Sequence, residues 1–419
     1  MYYGWVIVWV TIASAIGSAV NVNPTIGMFV KPLGEEFGWS RSIIALAVAI
    51  GTVFGGGLAL FVGPIIDKFG ARWVLFIAFL LMGSLLIAMS GINNLWQFFA
   101  IIIATRMLLQ GIINLTNQTV LAKWFVRKRG RALAYGNLGQ RFGQGAVPFA
   151  VQMIITAYSW RMAAAAMGVF AWAITLIPVL LWMRREPKDM GLRPDGDPPQ
   201  GEEDPESASG NTKKRSRQPE IHFTLKEALH TRTFYILVAT LCLTSFVNTG
   251  VNFNLFPYLT DQGLSDSKAA TVLLMWSFIG MPVALLSGLL AERISVQWVI
   301  VGFQAGMVGG TLLLLNVDAL WVGIVFALVH GASFAGSLLA QQVILADYYG
   351  SANLGALRGV VLPWQMASNA VGPLAATLVF DIRGDYTVIL WIYVAIQLAV
   401  LVALLRAHPP KLLRSTPTH

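Results

Sequence analysis

Two arginines, Arg106 and Arg141, stand in the middle of long apolar runs, and no Asp or Glu lies near the middle of any such run. Charge placed inside an apolar layer is expensive and is usually kept for function. A guanidinium can grip a carboxylate through two parallel hydrogen bonds. Two embedded cations without a fixed anionic partner therefore suggest that the anion is something the protein binds. His330 is the only histidine in an apolar run. Its side chain type titrates near neutrality, which makes it the candidate for a proton-coupling group. The alternative is a neutral, hydrogen-bonded imidazole.

Helical spacing groups further polar residues with these three. Asn137, Gln140, Arg141 and Gln144 share one stripe by the i, i+3, i+4, i+7 rule. A polar stripe on an embedded helix faces a cavity or another helix, so Arg141 either holds a ligand carboxylate or bonds carbonyls of a neighbouring helix. Arg106 begins a second stripe with Gln110, Asn114, Asn117 and Gln118; it either touches the ligand or organises adjacent helices. Ser333, Ser337 and Gln341 continue the face of His330. Ser18, Asn21 and Thr25, then Asn248 and Asn252, then Gln365 and Asn369 are spaced in the same way. Singly, such residues serve as interhelical hydrogen-bond glue; together they supply both halves of a polar cavity. Trp276 and Trp364 either wall that cavity or anchor helix interfaces. The sequence has no phosphate-cradling Gly-x-x-x-x-Gly-Lys-Ser/Thr run, no metal-ligand cluster and no nucleophile triad. The expectation is a protein that is not an enzyme and needs no cofactor or metal.

The elements that position these residues follow from composition. Of 419 residues, 56% are hydrophobic and 12% charged, and the mean hydropathy is +0.66. Soluble domains carry about a quarter charged residues. Twelve apolar stretches are long enough to cross a hydrocarbon core: 5–30, 42–62, 73–91, 96–121, 132–157, 161–183, 234–258, 269–291, 297–316, 320–346, 355–380 and 386–405. They should be helices, because lipid leaves backbone polar groups no outside partner, and they are too continuously apolar for barrel strands. The first stretch is too long for the apolar core of a cleaved signal and should be kept as a span. The one cysteine, Cys242, lies inside a span and reads as a packing residue.

The net charge of +9 does not point to nucleic acid. With the amino terminus placed inside, only Lys31, Arg41, Arg161, Lys268 and Arg383 fall in outer loops; the other basic residues outside the spans gather in inner loops and the tail. That bias puts both termini in the cytoplasm. The segment 184–233, rich in Pro, Gly, Ser and mixed charge, reads as a largely disordered cytoplasmic linker. It divides bundles of six spans, 1–183 and 234–405, with a tail at 406–419. The halves repeat. Gly63 to Asp67 matches Gly288 to Glu292, Arg106 matches His330, Asn117 matches Gln341, and Pro148 matches Pro373, all at a nearly constant offset. Two repeated six-helix bundles around a midplane cavity form a transporter architecture.

At these residues the chain resembles the major facilitator superfamily along essentially its whole length. Gly63-x-x-x-Asp67-Lys68-x-Gly70-x-Arg72 is similar to the superfamily signature between spans two and three, and Gly288-x-x-x-Glu292-Arg293 looks like its degraded second copy. These groups at helix ends are expected to form a charge network that stabilises one gating state. Tyr3-Gly-Trp5, the Glu36 to Arg41 segment, Lys123-Trp-Phe with Arg129-Gly-Arg-Ala132, Pro187 to Gly196, Leu354 to Gly359 and Asp381 to Tyr386 resemble the bacterial monocarboxylate-transporter and oxalate/formate-antiporter branch. The resemblance implies a monomer in the cell inner membrane that moves a small organic anion, a monocarboxylate above all, by alternating access with proton symport or anion exchange. The chain departs from that branch in span eight, where relatives carry a substrate-binding arginine and Leu273 to Val283 has no cation. Any anion must then be held from elsewhere, Arg141 first. Two alternatives stand beside this reading: a carrier or exporter of a larger neutral or aromatic compound, and a non-transporting membrane sensor.

Overall fold

A computed structural model describes residues 2–126, 128–193, 195, 223–350, 353–407 and 410, with the backbone alone at 129, 285, 288, 289, 291–293, 339, 342, 343, 346 and 354. Most of the expected linker, and the tail beyond 407 except residue 410, lie outside the described residues. Among the described residues the chain is helical, with no strand.

The first span is broken. Helix α1 (Gly4–Ser18) runs into a 3-10 turn (Ala19–Asn21), and the chain restarts as α2 (Asn23–Gly27). The cause is local. Pro24 has no N–H to continue the helix ladder, and Val22 swings to an extended ψ of 163°. A short α3 (Val30–Phe37) then leads to α4 (Arg41–Met89), which holds spans two and three folded back at Gly70. Gly70 has φ 79° and ψ 152°, a conformation almost closed to any residue with a Cβ. Span four is α5 (Leu95–Met107), a π-helical turn (Leu108–Ile113) and α6 (Asn114–Trp124). Helices α7 (Arg129–Ala157) and α8 (Trp160–Trp182) complete the first bundle.

A short α9 (Leu225–Leu229) precedes the second bundle. This contains α10 (Arg232–Asp261), α11 (Asp266–Phe278) with α12 (Gly280–Arg293) as one interrupted span, α13 (Val296–Leu314), α14 (Leu320–Tyr349), α15 (Leu354–Arg383) and α16 (Thr387–Arg406). Pro282 sits just past the α11–α12 junction, where a missing N–H breaks the ladder. By length and hydropathy, nine of the described segments can cross a membrane. One of the nine is α4, which contributes two spans. The remaining two spans are α7 and α15, which are too polar to pass. They are repeat-related and carry many of the cavity residues described below, so their polarity is the mark of a lining helix.

Helices α4 and α15, α7 and α11, and α2 and α10 pack across the bundle boundary. Small residues allow close approach: a Cβ on Gly139 would meet the Ile12 carbonyl oxygen of α1 at 2.7 Å, and one on Gly27 would collide with the Phe253 carbonyl oxygen of α10. The apolar core of the first bundle continues into the second through Val247, Phe253, Leu259 and Leu273. Those residues lie toward the end remote from the chain termini. Near the termini the second bundle has its own separate core, built on Phe234, Tyr349 and Leu404. At the remote end, Lys31 Nζ and Arg41 of the first bundle approach Asp261 of the second at 2.7 and 2.6 Å. Asp381 of α15 accepts backbone N–H bonds from Arg41 and Ser42 at the start of α4, at 3.2 and 2.9 Å. Every ion pair joining the two bundles among the described residues is at this end. The bundles are thus latched at the end remote from the termini.

Candidate functional site

The break in span one creates the first feature of the site. With the helix ladder interrupted at Pro24, the Asn21 carbonyl is free to accept a bond from outside. Arg106 NH1 donates to it at 2.8 Å. Arg106 NH2 donates to Asn23 Oδ1 at 2.6 Å and to Thr52 Oγ1 at 3.2 Å. All three acceptors are neutral, so they orient the guanidinium and leave its charge uncompensated. Gly51 makes room: a Cβ there would lie 2.7 Å from the Arg106 Cβ. The π turn follows immediately and aims Leu109 and Gln110 at the same space, as π turns at functional sites often do.

Arg106 opens onto a cavity of about 270 Å³ between the bundles. The first bundle contributes Asn23, Gln110, Asn114, Gln140 and Gln144, and the second contributes Asn248, Asn252, Ser337, Gln341, Gln365 and Asn369. Eleven of the residues singled out in the sequence therefore converge on one space. Asn114 and Gln140 also border a neighbouring pocket of about 40 Å³ inside the first bundle, with Asn117 and Asn137. Asn21 is fully buried behind Arg106, and its own amide has no partner. Among the described lining residues Arg106 is the one ionisable group.

Four expectations change. Arg141 does not line the cavity. It stands one residue after Gln140, about 100° around the helix, and so points into the seam with the second bundle. There its carbonyl accepts from Ser277 Oγ at 2.6 Å, and its Cζ lies 5.0 Å over the Phe334 ring. Phe334 does line the cavity, so Arg141 is one aromatic ring behind the wall. No carboxylate pairs with Arg141 or Arg106 among the described residues. His330 is fully buried within the second bundle and likewise does not line the cavity. Its ring stacks on Phe326 and Trp276, and its Nδ1 accepts the Trp276 indole N–H at 3.1 Å. That bond needs a lone pair on Nδ1, which places the ring proton on Nε2, where no partner is found. Trp276 is accordingly a packing partner of His330 and Phe334, not a cavity wall. Trp364 is 65% exposed on α15 and faces away from the cavity.

The signature residues near the termini form a separate network. Lys123 Nζ bridges Asp67 at 2.7 Å and Glu186 at 3.3 Å, and Arg185 donates to the Asp67 backbone oxygen. The Lys123 ammonium, hydrogen-bonded to the Asp67 carboxyl, holds that carboxyl below its ordinary range. Lys68 and Arg72 lie against the rings of Phe69 and Trp73. Gly63 has open space around it, while Gly70 makes the fold-back. Among the described residues this network ties the first bundle to itself. The side chains of Glu292 and Arg293 lie outside the described residues; the backbone places both, with Gly288, in the second half of α12.

Sequence reasoning left out Asn23, Ser245, Thr249 and Phe334 as cavity residues. The Asn21-Val-Asn-Pro24 run is the signal that could have found Asn23, since proline inside an apolar span predicts an opened backbone. Phe334 sits one turn after His330, and its residue type carries no polar signal of a cavity position.

A sequence model of the Major Facilitator Superfamily matches residues 7–361. An uncharacterised MFS-type transporter, YcxA of Bacillus subtilis (strain 168), is 23% identical over 401 residues, covering 92% of this chain and 90% of its own. Among solved structures, a D-xylose-proton symporter superposes with a TM-score of 0.72 at 15% identity, covering 97% of this chain and 98% of that one. The nucleoside transporter NupG also reaches 0.72, at 11% identity, covering 98% and 100%. The family match covers well over half of the sequence, and the whole fold agrees with it. The chain belongs to the Major Facilitator Superfamily and is a multi-pass membrane transporter, not an enzyme.

Proposed function

We propose that the protein is a secondary active transporter of a small organic anion, a monocarboxylate first. It works by alternating access around the cavity that Arg106 faces. The observation that carries this reading is the pair Arg106 and Arg141. One guanidinium lies at the cavity wall and one just behind it, and no carboxylate neutralises either among the described residues. An embedded cation without an anion calls for one from outside. In this reading Arg106 takes the carboxylate from its fixed position between Asn21, Asn23 and Thr52. Arg141 adds a second positive charge when Phe334 turns aside. Both termini are cytoplasmic in an inner membrane, so the latch at Lys31, Arg41, Asp261 and Asp381 closes the outer side and the cavity communicates with the cytoplasm. The monomer is the working unit.

No carboxylate or imidazole lines the cavity among the described residues, which favours exchange of one anion for another over proton symport through this site. His330 serves here as a neutral, stacked imidazole. The named neighbours handle xylose with protons, or nucleosides; a neutral carrier of that kind would have to leave both arginines purely structural. Counterflow in proteoliposomes separates the readings. Vesicles loaded with a small carboxylate should accumulate the labelled acid, and those loaded with its neutral amide should not. Equal counterflow of acid and amide rejects the anion.

A further inference from the structure

Five carboxamides that line the cavity have no protein partner among the described residues: Gln140 and Gln144 of the first bundle, and Asn248, Asn252 and Asn369 of the second. Other lining amides each have one protein partner. Gln365 donates to Ser245 at 2.9 Å, Gln341 to Ser337 at 3.0 Å, and Asn114 to Gln110 at 3.1 Å. The free amides are therefore a selected subset, not the general state of the wall. Asn248 is the sharpest case: it is 7% exposed, and its Oδ1 is both buried and unbonded. A buried acceptor left unmet costs more than the bond itself contributes.

Each free amide offers a donor and an acceptor, and a hydroxyl group is both at once. An alkyl chain would leave all five unmet. The charge on the wall is one-sided: Arg106 belongs to the first bundle, and the second presents neutral amides and hydroxyls beside the apolar Phe334 and Leu338. The cavity of about 270 Å³ has room for an acid of about four to six carbons with its hydroxyls.

We infer that the substrate is a polyhydroxylated carboxylic acid of sugar-acid type, its carboxylate toward Arg106 and its hydroxyls against Asn248, Asn252 and Asn369. This rests on the anion reading given above and narrows it. Because the two bundles hold opposite ends of one molecule, binding bridges the halves that must rock together.

Three probes of matched carbon number test it on the full-length purified protein by calorimetry: D-gluconate, hexanoate and glucitol. Gluconate should bind, and hexanoate, with the carboxylate and no hydroxyls, should bind at least tenfold more weakly. Glucitol, with hydroxyls and no charge, should show no saturable binding. Asn248→Ala and, on a separate helix, Asn369→Ala should weaken gluconate about tenfold each while leaving hexanoate unchanged; having two variants guards against one that does not fold. Hexanoate binding as tightly as gluconate overturns the inference and leaves the anion reading standing. Glucitol binding as tightly as gluconate overturns the anion reading and leaves the hydroxyl-binding wall standing. Failure of gluconate, glycerate and tartrate all to bind overturns the inference outright.

Discussion

The latch at the end remote from the termini should hold the bundles closed by an amount that can be worked out. Asp261 receives Arg41 NH1 and NH2 at 2.6 and 3.2 Å and Lys31 Nζ at 2.7 Å. The three side chains are 15–26% exposed, so water and salt screen them. Such pairs are worth about 0.2–1 kcal/mol each, with the two-pronged arginine pair near the top of that range. Asp261→Asn should thus weaken closure by about 1.5 kcal/mol, or roughly tenfold in the ratio of closed to open. Asp381 still caps the start of α4, so the single change leaves much of the population closed. Adding Asp381→Ala removes a cap worth about 1 kcal/mol, for a combined shift of roughly sixtyfold. Spin labels at the exposed positions Glu35 and Ser267, with Cys242→Ser as background, report the separation by double electron–electron resonance. The longer distance should grow in the order wild type, single, double. Wild type in 1 M salt, where the screening length is about 3 Å, should move the same way. Unchanged distance distributions in the double variant refute the latch.

Three further outcomes follow from particular contacts. Gly51→Ala puts a Cβ 2.7 Å from the Arg106 Cβ and 3.0 Å from the Ile103 Cα; it should cost about 1–3 kcal/mol by overpacking and weaken ligand binding, whereas Gly57→Ala, with nothing within 4 Å, should do neither. The melting temperature in detergent reads the first effect. Glu36 is held below its ordinary carboxyl range by its bond with Arg161 and then by the Trp160 N–H; a depressed carboxyl stabilises the fold above its unfolded value and loses that contribution as pH falls through the folded one. Thermal stability should drop on acidification below about pH 4.5, and Glu36→Gln should flatten that drop, as a pH series of melting curves will show. His330→Gln should leave the pH profile of transport unchanged, since Nδ1 is occupied by Trp276 and no part of the ring lines the cavity; a displaced profile in proteoliposome uptake contradicts the neutral assignment.

The twelve spans were legible because lipid imposes length and apolarity on every crossing helix. The repeat was legible because motif residues sit at fixed places in each half. The convergence of Asn248, Asn252, Gln365 and Asn369 with Gln140 and Gln144 was also readable, since helical period alone puts them on stripes. Period gives the face of a helix but not the neighbour that faces it. Gln140 reaches the cavity, and Arg141, one residue on, meets Phe334 instead. His330 shares spacing with the lining residues Ser337 and Gln341, yet aromatic stacking with Trp276 and Phe326 inside the second bundle claims it. Broken helices were the other blind spot. The 3-10 turn at Ala19–Asn21 and the π turn at Leu108–Ile113 place Asn23 and Gln110 where an unbroken helix would not.

The most direct measurement is the affinity for the transported acid in wild type, Arg106→Gln and the Arg106→Gln/Arg141→Gln double variant, with melting temperatures alongside to confirm folding. Loss of a charge-assisted grip on a carboxylate costs about 3 kcal/mol in a desolvated site, so Arg106→Gln should bind roughly a hundredfold more weakly, and the double variant should show no saturable binding. A folded double variant that binds the acid as tightly as wild type contradicts the assignment of these cations to the substrate.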